Sequence, residues 1–163
     1  MAAAVGQLAP RALTSADGAA AASDAPAAPE SVTAGDFTVV GGKAATSQTA
    51  GDGDFFFEGS TLHILTSTPL TVSTTAATGN NIEINAGVKA DLTLAGVNIN
   101  SPLAPINLVT NSDEDKDGKK VTNADQITNK TMLYLTIGAG TTNTLVCSSY
   151  GNNGAPGIRC GWG

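Results

Sequence analysis

Between Leu62 and Cys147 the chain repeats one small pattern, an apolar residue, a polar residue and a second apolar residue, set off by Gly, Asn or Pro. The instances are Leu62-His63-Ile64, Leu70-Thr71-Val72, Ile82-Glu83-Ile84, Leu92-Thr93-Leu94, Val97-Asn98-Ile99, Ile106-Asn107-Leu108 and the longer Leu133-Tyr134-Leu135-Thr136-Ile137. A period of two turns alternate side chains inward and outward on a strand, whereas an amphipathic helix repeats about every 3.6 residues. The pattern predicts short β-strands, each too short to bury a sheet face by itself.

Spacing separates the ways in which such strands can be assembled. Ile82 follows Leu62 by 20 residues, and Ile106 follows Ile82 by 24. Offsets of this size mark stacked coils, in which each coil adds short strands and the inward residues of successive coils pile into one core. An antiparallel sandwich would instead place Asn-Gly or Asp-Gly turns between neighbouring strands. Dipeptides of that kind include Asp17-Gly18, Asp52-Gly53 and Asp117-Gly118, and none of these lies between two neighbouring alternations. The expected fold is all-β, a parallel β-helix or solenoid, with the sandwich as the alternative.

The flanking segments read differently. Residues 1–30 are rich in Ala, carry Pro10, Pro26 and Pro29 and have no apolar period, so they read as a disordered linker or the remnant of a signal. Residues 31–163 form the β-helix domain, of which 31–60 are expected to cap the first coil, since an open end exposes core and strand edges. The run Phe55-Phe56-Phe57 fits that cap better than a sugar-stacking platform, because consecutive strand residues point to opposite faces. Residues 111–131 lack the apolar pattern and include nine charged residues, which marks a loop inserted at a coil corner. The last turn-rich stretch carries no capping element, so the sequence reads as interrupted in mid-coil with further coils to follow.

Composition narrows the partners. Of 163 residues 41% are apolar and 4% aromatic, which predicts an aliphatic core. The 21 Thr suit outward strand positions, and the 12 Asn, all at Asn80 or later, suit corners that need left-handed backbone. Eight scattered Lys and Arg and a formal charge of −6 argue against nucleic acid. No apolar run approaches the roughly 18 residues of a membrane-spanning helix. Cys147 and Cys160 could form a disulfide or pack as small apolar residues in adjacent coils.

The sharpest chemical signal is Asp113-Glu114-Asp115-Lys116-Asp117-Gly118, where alternate carboxylates followed by Gly suit the wrapping of oxygen ligands around calcium. The match to a helix-loop-helix site is partial, for the twelfth position is Ala124 and the acid, Asp125, comes one later. Asp113, Asp115, Asp117 and Asp125 are the candidate ligands, against a plain solvated acidic loop. His63, the only histidine, reads as a surface residue. Glu83 and Asp91 are outward acids, with Lys89 near Asp91 and Arg159 far off. Tyr150 and Trp162 could stack on sugar or pack a turn, and Asn129-Lys130-Thr131 fits the glycosylation triplet.

The phrases STLHILTSTPLTVS, IEINAGVKADLTLAGVNI, LYLTIGAGTTNTL and GNNGAPGIRCGWG resemble the bacterial secreted carbohydrate-binding domain-containing β-helix proteins. That resemblance spans roughly the chain from Asp36 onward and rests on repeat grammar, without a catalytic signature. It implies a right-handed parallel β-helix similar to pectate lyases, calcium association and binding of acidic polysaccharide without catalysis. The expected function is thus a secreted or cell-surface module that binds polysaccharide, with no catalytic residue assigned. The alternatives are a structural stalk or adhesin spacer, and a polysaccharide lyase; the oligomeric state is not readable. Ice binding by threonine arrays is set aside because Thr66 and Thr68 do not recur at matching positions.

Overall fold

A computed structural model of the chain describes residues 29–109, 130–148 and 156–160. The calcium candidates Asp113, Asp115, Asp117 and Asp125, together with Tyr150, Trp162 and Asn129, lie outside them, as do residues 1–28 and 110–129. About half of the described residues are in strands and none is in a helix, so the protein is all-β. The strands are β1 (Ser31–Ala34), β2 (Phe37–Val40), β3 (Phe55–Glu58), β4 (Thr61–Ile64), β5 (Leu70–Thr74) and β6 (Asn81–Ile84). They continue with β7 (Lys89–Leu94), β8 (Asn98–Ser101), β9 (Ile106–Leu108), β10 (Met132–Ile137), β11 (Thr144–Cys147) and β12 (Ile158–Cys160).

Three sheets result. The first has the order β1-β2-β5-β7-β10, the second β12-β9-β6-β4-β3, and the third pairs β8 with β11. From β4 onward the chain visits the second sheet and then the first with β4 and β5, and the second, first and third in turn with β6, β7, β8 and again with β9, β10, β11; in the first round an isolated bridge from Thr78 to Ile99 stands in place of a third-sheet strand. Every pairing among these later strands is parallel. The residues 20 and 24 positions apart are partners in register: Leu62 sits beside Ile82, and Ile82 beside Ile106, which in turn neighbours Ile158.

The sheets as wholes are mixed, and here the expectation of parallel strands needs correction. β1 with β2, β2 with β5, and β3 with β4 run antiparallel, all at one end of the two larger sheets. The cause is local. Gly35-Asp36 and Gly59-Ser60 are two-residue turns, with Ala34 opposite Phe37 and Glu58 opposite Thr61. Each starts with a glycine at φ near 60°, the left-handed backbone that a type II′ turn asks of its first residue. At Gly35 a second constraint is added, since a Cβ there would lie 2.3 Å from the Phe57 ring. Phe57 packs edge-on against buried Phe37, and Phe55 is fully buried, so these two rings of the aromatic run belong to the core of this end.

Period-two burial then builds the interior. Leu62, Ile64, Leu70, Val72, Ile82, Ile84, Leu92, Leu94, Ile99 and Ile106 are buried, while the residues between them point out. Burying such side chains contributes roughly 1.5–3 kcal/mol each before chain entropy is counted. The last layer is less well sealed: Ile137 is exposed and Leu133, Leu135 and Leu145 are half-buried. An apolar cleft of about 380 Å³ opens there between Leu108, Leu133, Leu135, Ile158 and Cys160.

Corners are closed by side chains. No described residue other than glycine has positive φ, so Asn does not serve here as a left-handed residue. Asn143 instead reaches back one layer, where its Oδ1 accepts from the N–H groups of Gly96 and Val97 and its Nδ2 donates to the Leu94 carbonyl. Thr74 Oγ1 accepts from the Asn98 N–H, and the Thr78 hydroxyl donates to Asp36. Threonines therefore staple turns as well as occupying outward strand positions such as Thr71, Thr93 and Thr136. Cys147 is buried and Cys160 exposed.

Candidate functional site

Parallel register decides which outward side chains meet. On the second sheet it aligns His63 of β4, Glu83 of β6, Asn107 of β9 and Arg159 of β12 in one column. The Asn107 Nδ2 donates to Glu83 Oε2 at 3.1 Å, and Glu83 Oε1 lies 3.2 Å from His63 Nδ1. Gln48 lies over the column, its amide nitrogen 3.2 Å from both His63 Nδ1 and Asn85 Oδ1. A single ring nitrogen either donates to Glu83 or accepts from Gln48, so the two contacts belong to different tautomers. The pair is sheltered, with His63 12% and Glu83 24% exposed. Among the described residues His63 meets no hydroxyl or thiol that it could activate, and the column holds one carboxylate, where glycoside hydrolysis takes two.

The stretch leading into β3 carries two further carboxylates, each already satisfied. Asp54 accepts from the hydroxyls of Thr68 and Thr66 and from the Lys43 N–H, at 2.6, 2.7 and 2.9 Å. These donors favour the ionised form and hold its carboxyl below the usual range, the Thr68 hydroxyl foremost. Asp52 is lowered in the same way by the hydroxyl and N–H of Thr46. The described residues contain no group of three or more His, Cys, Asp or Glu placed to hold a metal ion.

The first sheet presents a different surface. Its outward positions align Asp91 with Tyr134, Lys89 with Met132, and Thr71 with Thr93 and Thr136. Lys89, Asp91, Tyr134 and Thr136 are exposed, Tyr134 at 56%. None of these side chains, nor those of Thr71 and Thr93, has a hydrogen bond or ion pair among the described residues. An aromatic face, a carboxylate, an ammonium and a row of hydroxyls thus stand together and unpartnered. Such a set can stack on an apolar ring face and exchange hydrogen bonds around its rim.

The structure brings together residues that the sequence left apart. Glu83 and His63 meet, although His63 had read as lacking an acid partner. Asp91 and Lys89 share the first sheet, while Arg159 stands on the second, so the two cations do not converge on one acid. Tyr134 was missed as an exposed aromatic, although its outward position was written in the alternation Leu133-Tyr134-Leu135. No helix among the described residues is long and apolar enough to cross a membrane. The chain matches no protein-family model, no curated protein and no solved structure.

Proposed function

We propose that the chain is a noncatalytic polysaccharide-binding module on a right-handed parallel β-helix, working outside the cell or on its surface. The scaffold part of this reading is supported by the repeated visit of the chain to three sheets and by parallel pairing from β4 onward. The binding part is carried by one observation, the exposed and unpartnered set Tyr134, Asp91 and Lys89 on the outer face of β7 and β10. Aromatic and polar groups left unsatisfied on a rigid sheet cost little rearrangement on binding, because no internal bond has to break first.

Acidic polysaccharide and calcium enter through the resemblance and through the carboxylate spacing of Asp113, Asp115, Asp117 and Asp125. Calcium would link that loop to uronic carboxylates by oxygen coordination. Isothermal titration against polygalacturonate and against a soluble neutral glucan, each with calcium and with chelator, tests the reading. Heat of binding to at least one glycan, with weaker affinity in Tyr134→Ala, is the expected result. Absence of binding to both overturns it.

A further inference from the structure

We infer that the ligand of the first sheet is an uncharged, hydroxyl-rich glycan whose chain lies across the strands, along the row Thr136, Thr93 and Thr71. This inference rests on the polysaccharide reading and narrows it, with a neutral glycan in place of the acidic one that the resemblance implies. Three observations carry it.

The first is charge. The two charged side chains at the patch, Lys89 and Asp91, stand two residues apart on β7 and cancel, while the whole chain carries −6. An anionic polymer approaching this face meets net repulsion and a single cation that already has an acid as neighbour. A neutral polymer meets neither.

The second is geometry. Thr71, Thr93 and Thr136 occupy one register position on three successive parallel strands. Neighbouring strands are about 4.8 Å apart, so the three hydroxyls form a straight row about 10 Å long, perpendicular to the strands. Tyr134 stands two residues from Thr136 on the same face, and Asp91 stands two residues from Thr93. A chain of linked rings laid along the row would run past the ring of Tyr134 while its hydroxyls meet Thr136, Thr93 and Thr71 in turn.

The third is availability. Other threonine hydroxyls, those of Thr66, Thr68, Thr78, Thr131 and Thr141, donate to neighbouring acceptors of the protein. The three in the row make no hydrogen bond among the described residues. Their Oγ atoms are therefore free to donate to one sugar oxygen and accept from another.

A length series of neutral gluco-oligosaccharides, titrated against the full chain, Thr93→Val, Thr136→Val and Tyr134→Ala at low and high NaCl, tests this, with polygalacturonate run in parallel. Valine keeps the branched shape and the strand propensity, so folding is preserved and circular dichroism checks it. The expected result is affinity that rises with chain length and then levels off, with little dependence on salt. Each valine variant should bind about threefold to tenfold more weakly, and Tyr134→Ala about tenfold more weakly. Valine variants that bind like the parent, or an affinity independent of chain length, overturn the row while leaving polysaccharide binding in place. Calcium-dependent binding of polygalacturonate alone overturns the neutral ligand and again spares the earlier reading. Binding of neither glycan removes both.

Discussion

On the second sheet, outward residues stacked in register use one another: Glu83 takes the Asn107 amide on one oxygen and faces His63 on the other, and Gln48 covers the group. On the first sheet the same stacking puts Asp91 beside Tyr134 and Lys89 beside Met132, and nothing bonds among the described residues. The interior beneath both faces is alike, an aliphatic ladder with period two. What differs is the pairing of donors with acceptors. The Asn107 amide donates to one Glu83 oxygen while the other oxygen faces the His63 ring, so each step of that column has a partner. Beside Asp91 register places Tyr134, whose hydroxyl sits at the far end of the ring, and beside Lys89 it places Met132, whose thioether is only a weak acceptor. Register alone therefore creates neighbours, and the groups they carry decide whether a column bonds to itself.

Breaking what the two faces share should give the largest effect. Leu92 is fully buried and stacks between Leu70 and Leu135. Leu92→Ala removes three carbons from a packed site and should cost about 3 kcal/mol, seen as a lower midpoint in urea with glycan binding lost only as the chain unfolds. A variant that kept its midpoint would mean that the ladder is not under both faces.

Separating the faces comes next. Glu83→Ala leaves the Asn107 amide and the His63 ring without their acceptor on a sheltered surface, and should cost about 2 kcal/mol. On the proposed reading glycan affinity should not change, because the column lies on the other sheet from Tyr134. A variant that is stable but does not bind would transfer the site to the second sheet.

The offset that aligns Leu62 with Ile82 also carries His63 onto Glu83, one position further along each strand, and the next offset carries Glu83 onto Asn107. The polar column was thus legible in the spacing that revealed the interior. The Asp91–Tyr134 pair was not, because residues 111–131 interrupt the repeat between β9 and β10 and hide the offset. The hairpins were legible in principle as Gly35-Asp36 and Gly59-Ser60, but those are type II′ signals, and Asn-Gly or Asp-Gly marks type I′. The role of Asn143 was not legible at all, since corner stapling depends on which backbone groups the layer below leaves unpaired.

A smaller effect tests whether satisfied carboxylates behave as structure. Asp54 is held ionised by Thr68, Thr66 and the Lys43 N–H, so its folded-state pKa lies below the ordinary value of 3.8. A lowered pKa means that its stabilisation is fully present above that ordinary value and is lost as pH falls through the folded value. Asp54→Asn should therefore cost about 1 kcal/mol at neutral pH. The gap in thermal midpoint between parent and variant should close below about pH 4. A gap that stays constant into acid would show that the charge of Asp54 contributes nothing to the fold.

The smallest expected change in stability is at Tyr134, and it sharpens the comparison most. The ring is more than half exposed and bonds to nothing among the described residues, so Tyr134→Ala should leave the urea midpoint within about 0.5 kcal/mol of the parent. A residue kept for structure would not behave so, since large exposed aromatics add little to a fold and invite association. If the ring instead packs on its neighbours strongly enough to hold β10 in the sheet, the substitution will lower the midpoint by 1 kcal/mol or more, on the order of a buried aromatic contact. In that case the first sheet closes on itself as the second does, and the distinction between an occupied and an available face fails at its most exposed residue.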